Sequence, residues 1–116
     1  MAMGKRAILA LGTVAVISMT ALGVAQAAPE TTITVGNNFL APAKKTAGQG
    51  TKVRFRWVGG ERHKIVKREG PGGPIESSAT SRKGVHLAPT LRKRGTYRFV
   101  CTFHPTEMRL KLTVVR

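Results

Sequence analysis

The stretch from Tyr97 to Met108 holds the chain's only cysteine, Cys101, one of its three histidines, His104, and a methionine, Met108. These three side chains fall within eight consecutive residues. Thiolate, imidazole and thioether are soft or borderline donors, and set this closely they suit copper better than any hard cation. A second histidine, His63, stands upstream in Glu61-Arg62-His63-Lys64-Ile65-Val66. An early His followed by a late Cys-His-Met loop can supply a trigonal Cys-His-His site with a weak axial Met. Cys101-Thr102-Phe103-His104 lets a short turn at a strand end present sulfur and imidazole to one point. Other readings stand beside this one. Cys101 could be a buried structural thiol or an intermolecular disulfide, Met108 a core residue, and zinc could occupy three ligands of this type. His86, between Val85 and Leu87, is expected to point outward as a solvated surface histidine.

The elements that must hold these residues read as strands. Val53, Phe55 and Trp57 alternate with Arg54 and Arg56, and Leu110, Leu112 and Val114 alternate with Lys111 and Thr113. That is the period of a half-buried strand, which makes Trp57 and, by the same logic, Tyr97 core aromatics. Further strands are expected over residues 31–35, 43–47, 63–66, 85–91 and 96–100. Gly48-Gln49-Gly50, Gly59-Gly60 and Arg94-Gly95 punctuate them. Residues 69–84, rich in Gly and Ser, are expected to form a long, irregular, mobile excursion. No helical period is sustained after Ala28, so the class is all-β, a sandwich or small barrel, with no repeats and no second domain.

The N-terminus reads as an address rather than as structure. Lys5 and Arg6 precede an uncharged apolar run, Ala7 to Val24, and Ala25-Gln26-Ala27 follows with the small-x-small pattern of a cleavage site. Together these predict a secretory signal peptide over 1–27, cut after Ala27, and a domain over 28–116. The competing reading is an uncleaved anchor, but Gly12 and Gly23 interrupt the run and no basic stop follows. A chain exported this way works outside the cytoplasm, secreted or in a periplasm. A lone free thiol there is prone to oxidation unless a metal ligates it. A domain this small also has a marginal core unless something ties it together.

Charge is the second strong signal. Without residues 1–27, 18 of the 20 basic residues remain against 5 acidic ones. Such a potential steers encounters with anionic surfaces. The expected partners are an acidic redox protein or an anionic cell-surface polymer. Nucleic acid is not expected, because no recognised nucleic-acid module is present. A metal-free, polyanion-binding β domain is a further reading of the same charge. The chain contains no Asp at all, so a Ser-His-Asp site or a carboxylate pair is not expected either.

From Val35 to Val114 the chain resembles a small cupredoxin of the plastocyanin/azurin kind. The matching features are Asn38-Phe39 with Pro42, Gly50-Thr51-Lys52-Val53 leading to Phe55 and Trp57, and His63 before Ile65-Val66. They continue with Gly95-Thr96-Tyr97-Arg98-Phe99-Val100-Cys101, His104, Met108 and a closing strand from Leu110 to Val114. The resemblance implies a Greek-key β-sandwich binding one copper ion at one end and cycling it between Cu(I) and Cu(II). It assigns His63, Cys101 and His104 as equatorial ligands and Met108 as the axial one, with His63 locking the geometry across the sandwich. It also implies an electron exit at the edge of His104, in an apolar patch with Leu40 and Pro42, with Phe103 and Pro105 excluding water. The implied function is that of an exported, monomeric, mobile one-electron carrier without stable membrane insertion. It is not an enzyme, since the ligands are too few for a second copper centre. The alternative within the same resemblance is a copper scavenging or delivery protein. Lys64 stands where many members of the family have a small polar residue supporting the Cys loop, and Lys64 cannot accept a hydrogen bond.

Overall fold

The computed structural model describes residues 28–116, so the signal segment expected over 1–27 lies outside the described residues. Nine strands follow: β1 (Glu30–Gly36), β2 (Phe39–Ala41), β3 (Lys44–Gly48), β4 (Thr51–Trp57), β5 (Ile65–Glu69), β6 (Gly84–Leu87), β7 (Thr90–Leu91), β8 (Gly95–Cys101) and β9 (Arg109–Val115). Among the described residues there is no helix. One sheet runs β2-β1-β4-β6, with β7 also on β4, and the other runs β3-β9-β8-β5. β1 pairs β4 in parallel and β3 pairs β9 in parallel, while the remaining pairs are antiparallel. Parallel neighbours cannot be joined by a tight hairpin, so the chain crosses between the layers, as a Greek-key sandwich requires.

Alternation decides which side chains fill the space between the sheets. Val53, Phe55 and Trp57 on β4, Tyr97, Phe99 and Cys101 on β8, and Leu110, Leu112 and Val114 on β9 are all buried. Phe55 and Phe99 meet across the layers with ring centroids 5.1 Å apart, a tilted arrangement that aromatic quadrupoles favour. The parity that buries Tyr97 and Phe99 also turns Cys101 inward at the last position of β8. Sulfur is thereby delivered to one end of the core.

The structure departs from the sequence expectation in three places. The segment 85–91 is two strands, β6 and β7, broken at Ala88-Pro89 because proline has no N–H to give a ladder. The short strand β2 was not expected. A turn at Asn37-Asn38 creates it, with Asn38 at φ 68°, a left-handed conformation that Asn tolerates better than most residues. Residues 69–84 are irregular only in part. Lys67 N–H donates to Ile75 O at 2.8 Å and Ser77 N–H to Ile65 O at 2.9 Å, so this segment runs back along the edge of β5. The buried Ser77 hydroxyl accepts from Ile65 N–H at 3.0 Å and donates to Ser78 O at 2.8 Å. A polar segment can lie against a sheet edge when its backbone groups find partners in this way.

Candidate metal centre

Three loops at one end of the sandwich carry the centre. The turn after β8 folds tightly on itself: His104 N–H donates to Cys101 O at 3.2 Å and Met108 N–H to His104 O at 2.9 Å. Cys101 N–H in turn donates to Met108 O at 3.0 Å, which closes the loop at the mouth of β9. His63 lies just before β5, where paired backbone bonds with Thr80 at 3.0 and 3.1 Å hold it. Thr102 N–H donates to Lys64 O at 2.9 Å and clips the cysteine loop directly to the histidine segment.

These contacts bring together three of the expected ligands. Cys101 Sγ lies 3.7 Å from His63 Nδ1 and 4.0 Å from His104 Nδ1. The donor atoms of His63, Cys101 and His104 all fall within 4.8 Å of one another. A trigonal centre with about 2.3 Å to thiolate and about 2.0 Å to imidazole sets sulfur and nitrogen about 3.7 Å apart. The observed spacing therefore fits a single metal ion, and a thiolate with two imidazoles is a donor set that suits copper. His63 and Cys101 are fully buried, and His104 is half-buried at the surface. Met108 is fully buried at the end of the same loop. His63 lies just before β5 and Cys101 ends β8, so the two come from different strand paths, as expected, and those strands are neighbours in one sheet, Ile65 being paired with Cys101.

The environment favours the ligating form of His63. Burial pushes its pKa below 6.5, the nearby His104 pushes the same way, and Glu61 partly offsets them. The imidazole is thus neutral near neutral pH, as ligation requires. Its outer nitrogen, Nε2, faces Asn37 Oδ1 at 3.4 Å, near the long limit of a hydrogen bond. An Nε2–H tautomer donates there and leaves Nδ1 free to face the sulfur. Asn37 Oδ1 also accepts from Glu61 N–H at 3.2 Å. A Cβ on Gly59 would overlap the Asn37 side chain, so glycine at 59 is what admits it. Sequence reasoning missed Asn37 as a support. Its only signal was the Asn-Asn pair marking a turn. Lys64 contributes its backbone carbonyl to the loop, while its ammonium pairs with Glu76 at 3.4 Å.

Two side-chain expectations need correction. His86 is not simply solvated: its ring stands edge-on to Trp57 at 5.1 Å and its Nε2–H donates to Arg82 O at 2.8 Å. A register shift between Phe55 and Arg56 breaks the alternation that would have turned it outward. His86 is not part of the three-residue cluster. Leu40 is buried in the core and offers no surface patch. The exposed large apolar side chains at this end are Phe39 (46%) at the start of β2 and, on loops, Val58 (44%) and Phe103 (49%), the last beneath the Arg62 guanidinium at 5.9 Å. Pro42 and Pro105 are exposed.

A two-layer β-sandwich in this strand order, with the early His and the Cys-x-x-His turn at one end, is the cupredoxin fold. Among solved structures the chain is similar to amicyanin. A reduced amicyanin with a Trp-to-Tyr substitution is 20% identical, with 78% of this chain and 85% of that chain covered, at a TM-score of 0.63. A reduced form with a Pro-to-Phe substitution is 22% identical over the same shares, also at 0.63. A Cu(I) form with a Met-to-Gln substitution is 18% identical, with 73% and 81% covered, at 0.64. No family model matches the chain, and no curated protein matches it in sequence. Identities this low speak to the fold; the chemistry is argued from this chain's own residues.

Proposed function

We propose that residues 28–116 form an exported type 1 copper protein that carries single electrons, with His63, Cys101 and His104 as equatorial ligands and Met108 as axial ligand. The observation that carries this reading is a sulfur and two imidazole nitrogens within 4.8 Å of one another at one end of a sandwich. Bound copper would supply a one-electron Cu(I)/Cu(II) couple. The chain's own residues supply the rest. The β5–β8 ladder, the Thr80 bridge and the Thr102–Lys64 bond hold the donors in one arrangement. A frame that moves little between oxidation states keeps the cost of reorganisation low. Asn37 Oδ1, facing His63 Nε2, favours the tautomer that leaves Nδ1 to the metal. His104, half-buried at the end of the sandwich that exposes Phe39, Val58 and Phe103, is the point where a partner can approach the centre. The amicyanin structures similar to this chain include reduced, Cu(I) and oxidised forms, which supports the same couple here.

The alternative is a copper scavenger or delivery protein. Such a protein needs ligands that an incoming chelator can reach, and the burial of His63 and Cys101 supports retention instead. Export to a periplasm or the cell exterior, a monomeric state and an acidic redox partner complete the reading. Voltammetry of the copper-loaded protein tests it. A reversible one-electron wave, with the copper kept in the presence of a Cu(I) chelator, is expected. An irreversible wave with rapid loss of Cu(I) to the chelator would favour delivery.

A further inference from the structure

The outer face of the β3-β9-β8-β5 sheet carries an arrangement of charge that the fold does not need. One cross-strand row reads Lys44, Lys111, Arg98, Glu69, each paired with the next in register. All four are exposed. Lys44 and Arg98 thus flank Lys111 at the strand spacing of about 4.8 Å, and like charges directly opposite one another destabilise a sheet. The row's only acid, Glu69, sits at its edge and pairs with Arg98 at 3.3 Å. Among the described residues Lys44, Lys111, Arg68 and Arg109 make no ion pair. The other sheet is built differently. There Lys52, Arg54 and Arg56 of β4 stand opposite Glu30, Thr32 and Thr34 of β1, so across that strand pair each cation faces a neutral or acidic residue and not another cation.

The charged row borders a groove of about 600 Å³ in which Lys44, Arg68, Arg98, Arg109 and Lys111, with Glu69 as the one acid, surround exposed Pro105, while Val100 lies buried beneath them. Pro105 belongs to the cysteine loop and follows His104 directly. The groove therefore begins at the metal end and runs down the cationic face. A second basic cluster, Arg92-Lys93-Arg94 with Arg116, lines a more open depression of about 730 Å³. That cluster sits at the opposite end of β8 from Cys101, six residues or about 20 Å away.

We propose that the groove face of the β3-β9-β8-β5 sheet is the docking surface for an acidic protein partner. It combines four cations without an ion pair, Lys44, Arg68, Arg109 and Lys111, with the exposed ring of Pro105, and through Pro105 it touches the loop of the candidate centre. A sulfated or phosphorylated polymer would need only charge, and the Arg92–Arg94 end offers that equally well. The partner's redox role rests on the electron-carrier reading, whereas the location of the surface does not.

The test titrates the purified ¹⁵N-labelled protein with a deca-glutamate peptide and follows the backbone amides. Shifts are expected to centre on Lys44, Arg98, Arg109 and Lys111. The triple change Lys44→Gln, Arg109→Gln, Lys111→Gln should weaken binding about tenfold, whereas Arg92→Gln, Lys93→Gln, Arg94→Gln, with the same loss of charge, should weaken it less than about threefold. The first variant should also unfold at a urea concentration no lower than wild type, because it relieves repulsion. Equal losses from the two variants, shifts centred on residues 92–94, a lower urea midpoint, or tighter binding of dextran sulfate than of the peptide at this face would each overturn the proposal. Failure of the voltammetry with these shifts intact would sink the electron-carrier reading alone. A reversible wave with shifts elsewhere would sink only this one.

Discussion

Cys101 Sγ and His63 Nδ1 stand 3.7 Å apart although 38 positions separate the residues in the chain. The backbone sets this meeting. Ile65 pairs with Cys101 in the β5–β8 ladder, and His63 arrives two residues earlier on the same strand path. Strand parity has a period of two, so a slip of one residue in that register would turn Cys101 out of the core and away from both imidazoles.

Asn37 is expected to matter through His63 rather than through the fold. It is exposed, and its side chain bridges His63 and the Glu61 amide. Asn37→Ala should weaken copper binding by about 10- to 100-fold, the usual effect of removing a partner that orients a ligand, while thermal unfolding of the metal-free protein moves little. Gly59→Ala, whose Cβ would overlap the Asn37 side chain and press on its backbone nitrogen, should reproduce the copper defect. Competition against a chelator of known affinity reads both.

Met108→Leu separates an axial ligand from a core residue. The swap nearly conserves volume and should cost less than about 1.5 kcal/mol in urea unfolding of the metal-free protein. An axial thioether tunes the potential and the spectrum of such a centre, so the copper-loaded variant should shift both. Unchanged potential and colour would make Met108 packing alone.

Tyr97 gives a pH prediction away from the centre. It is buried, its hydroxyl donates to Lys93 O at 2.7 Å, and burial raises its pKa above 10.0. The folded state therefore favours the neutral phenol. That contribution is fully present below pH 10 and is lost as pH climbs beyond it. Tyr97→Phe should lose about 1 kcal/mol at pH 7 from the missing hydrogen bond, and its stability should fall less steeply above pH 10 than that of wild type. Urea unfolding at several alkaline pH values measures the difference.

Much of the architecture was legible because alternation is a physical consequence of a sheet with one wet face. Val53, Phe55 and Trp57 on β4 and Leu110, Leu112 and Val114 on β9 declared themselves, and the same logic placed Tyr97 in the core. The cluster of His63, Cys101 and His104 was legible from donor chemistry and the Cys-x-x-His turn. What escaped was whatever breaks the period or depends on a single distant contact. The register shift beside Arg56 reoriented His86, and the hairpin at Asn37-Asn38 made a strand too short to show a pattern. Ser77 and Asn37 act through one oxygen each, and no spacing announces that. The like-charge row Lys44, Lys111, Arg98 joins three strands and exists only once their register is known.

The most direct test is to add Cu(II) to the purified protein and record its visible spectrum beside that of Cys101→Ser. A copper–thiolate centre predicts an intense blue or green charge-transfer band at one copper per chain in the parent and its loss in the serine variant. A band of equal intensity in the variant, or stoichiometric copper binding without colour in the parent, would contradict the assignment of the cysteine sulfur as a ligand.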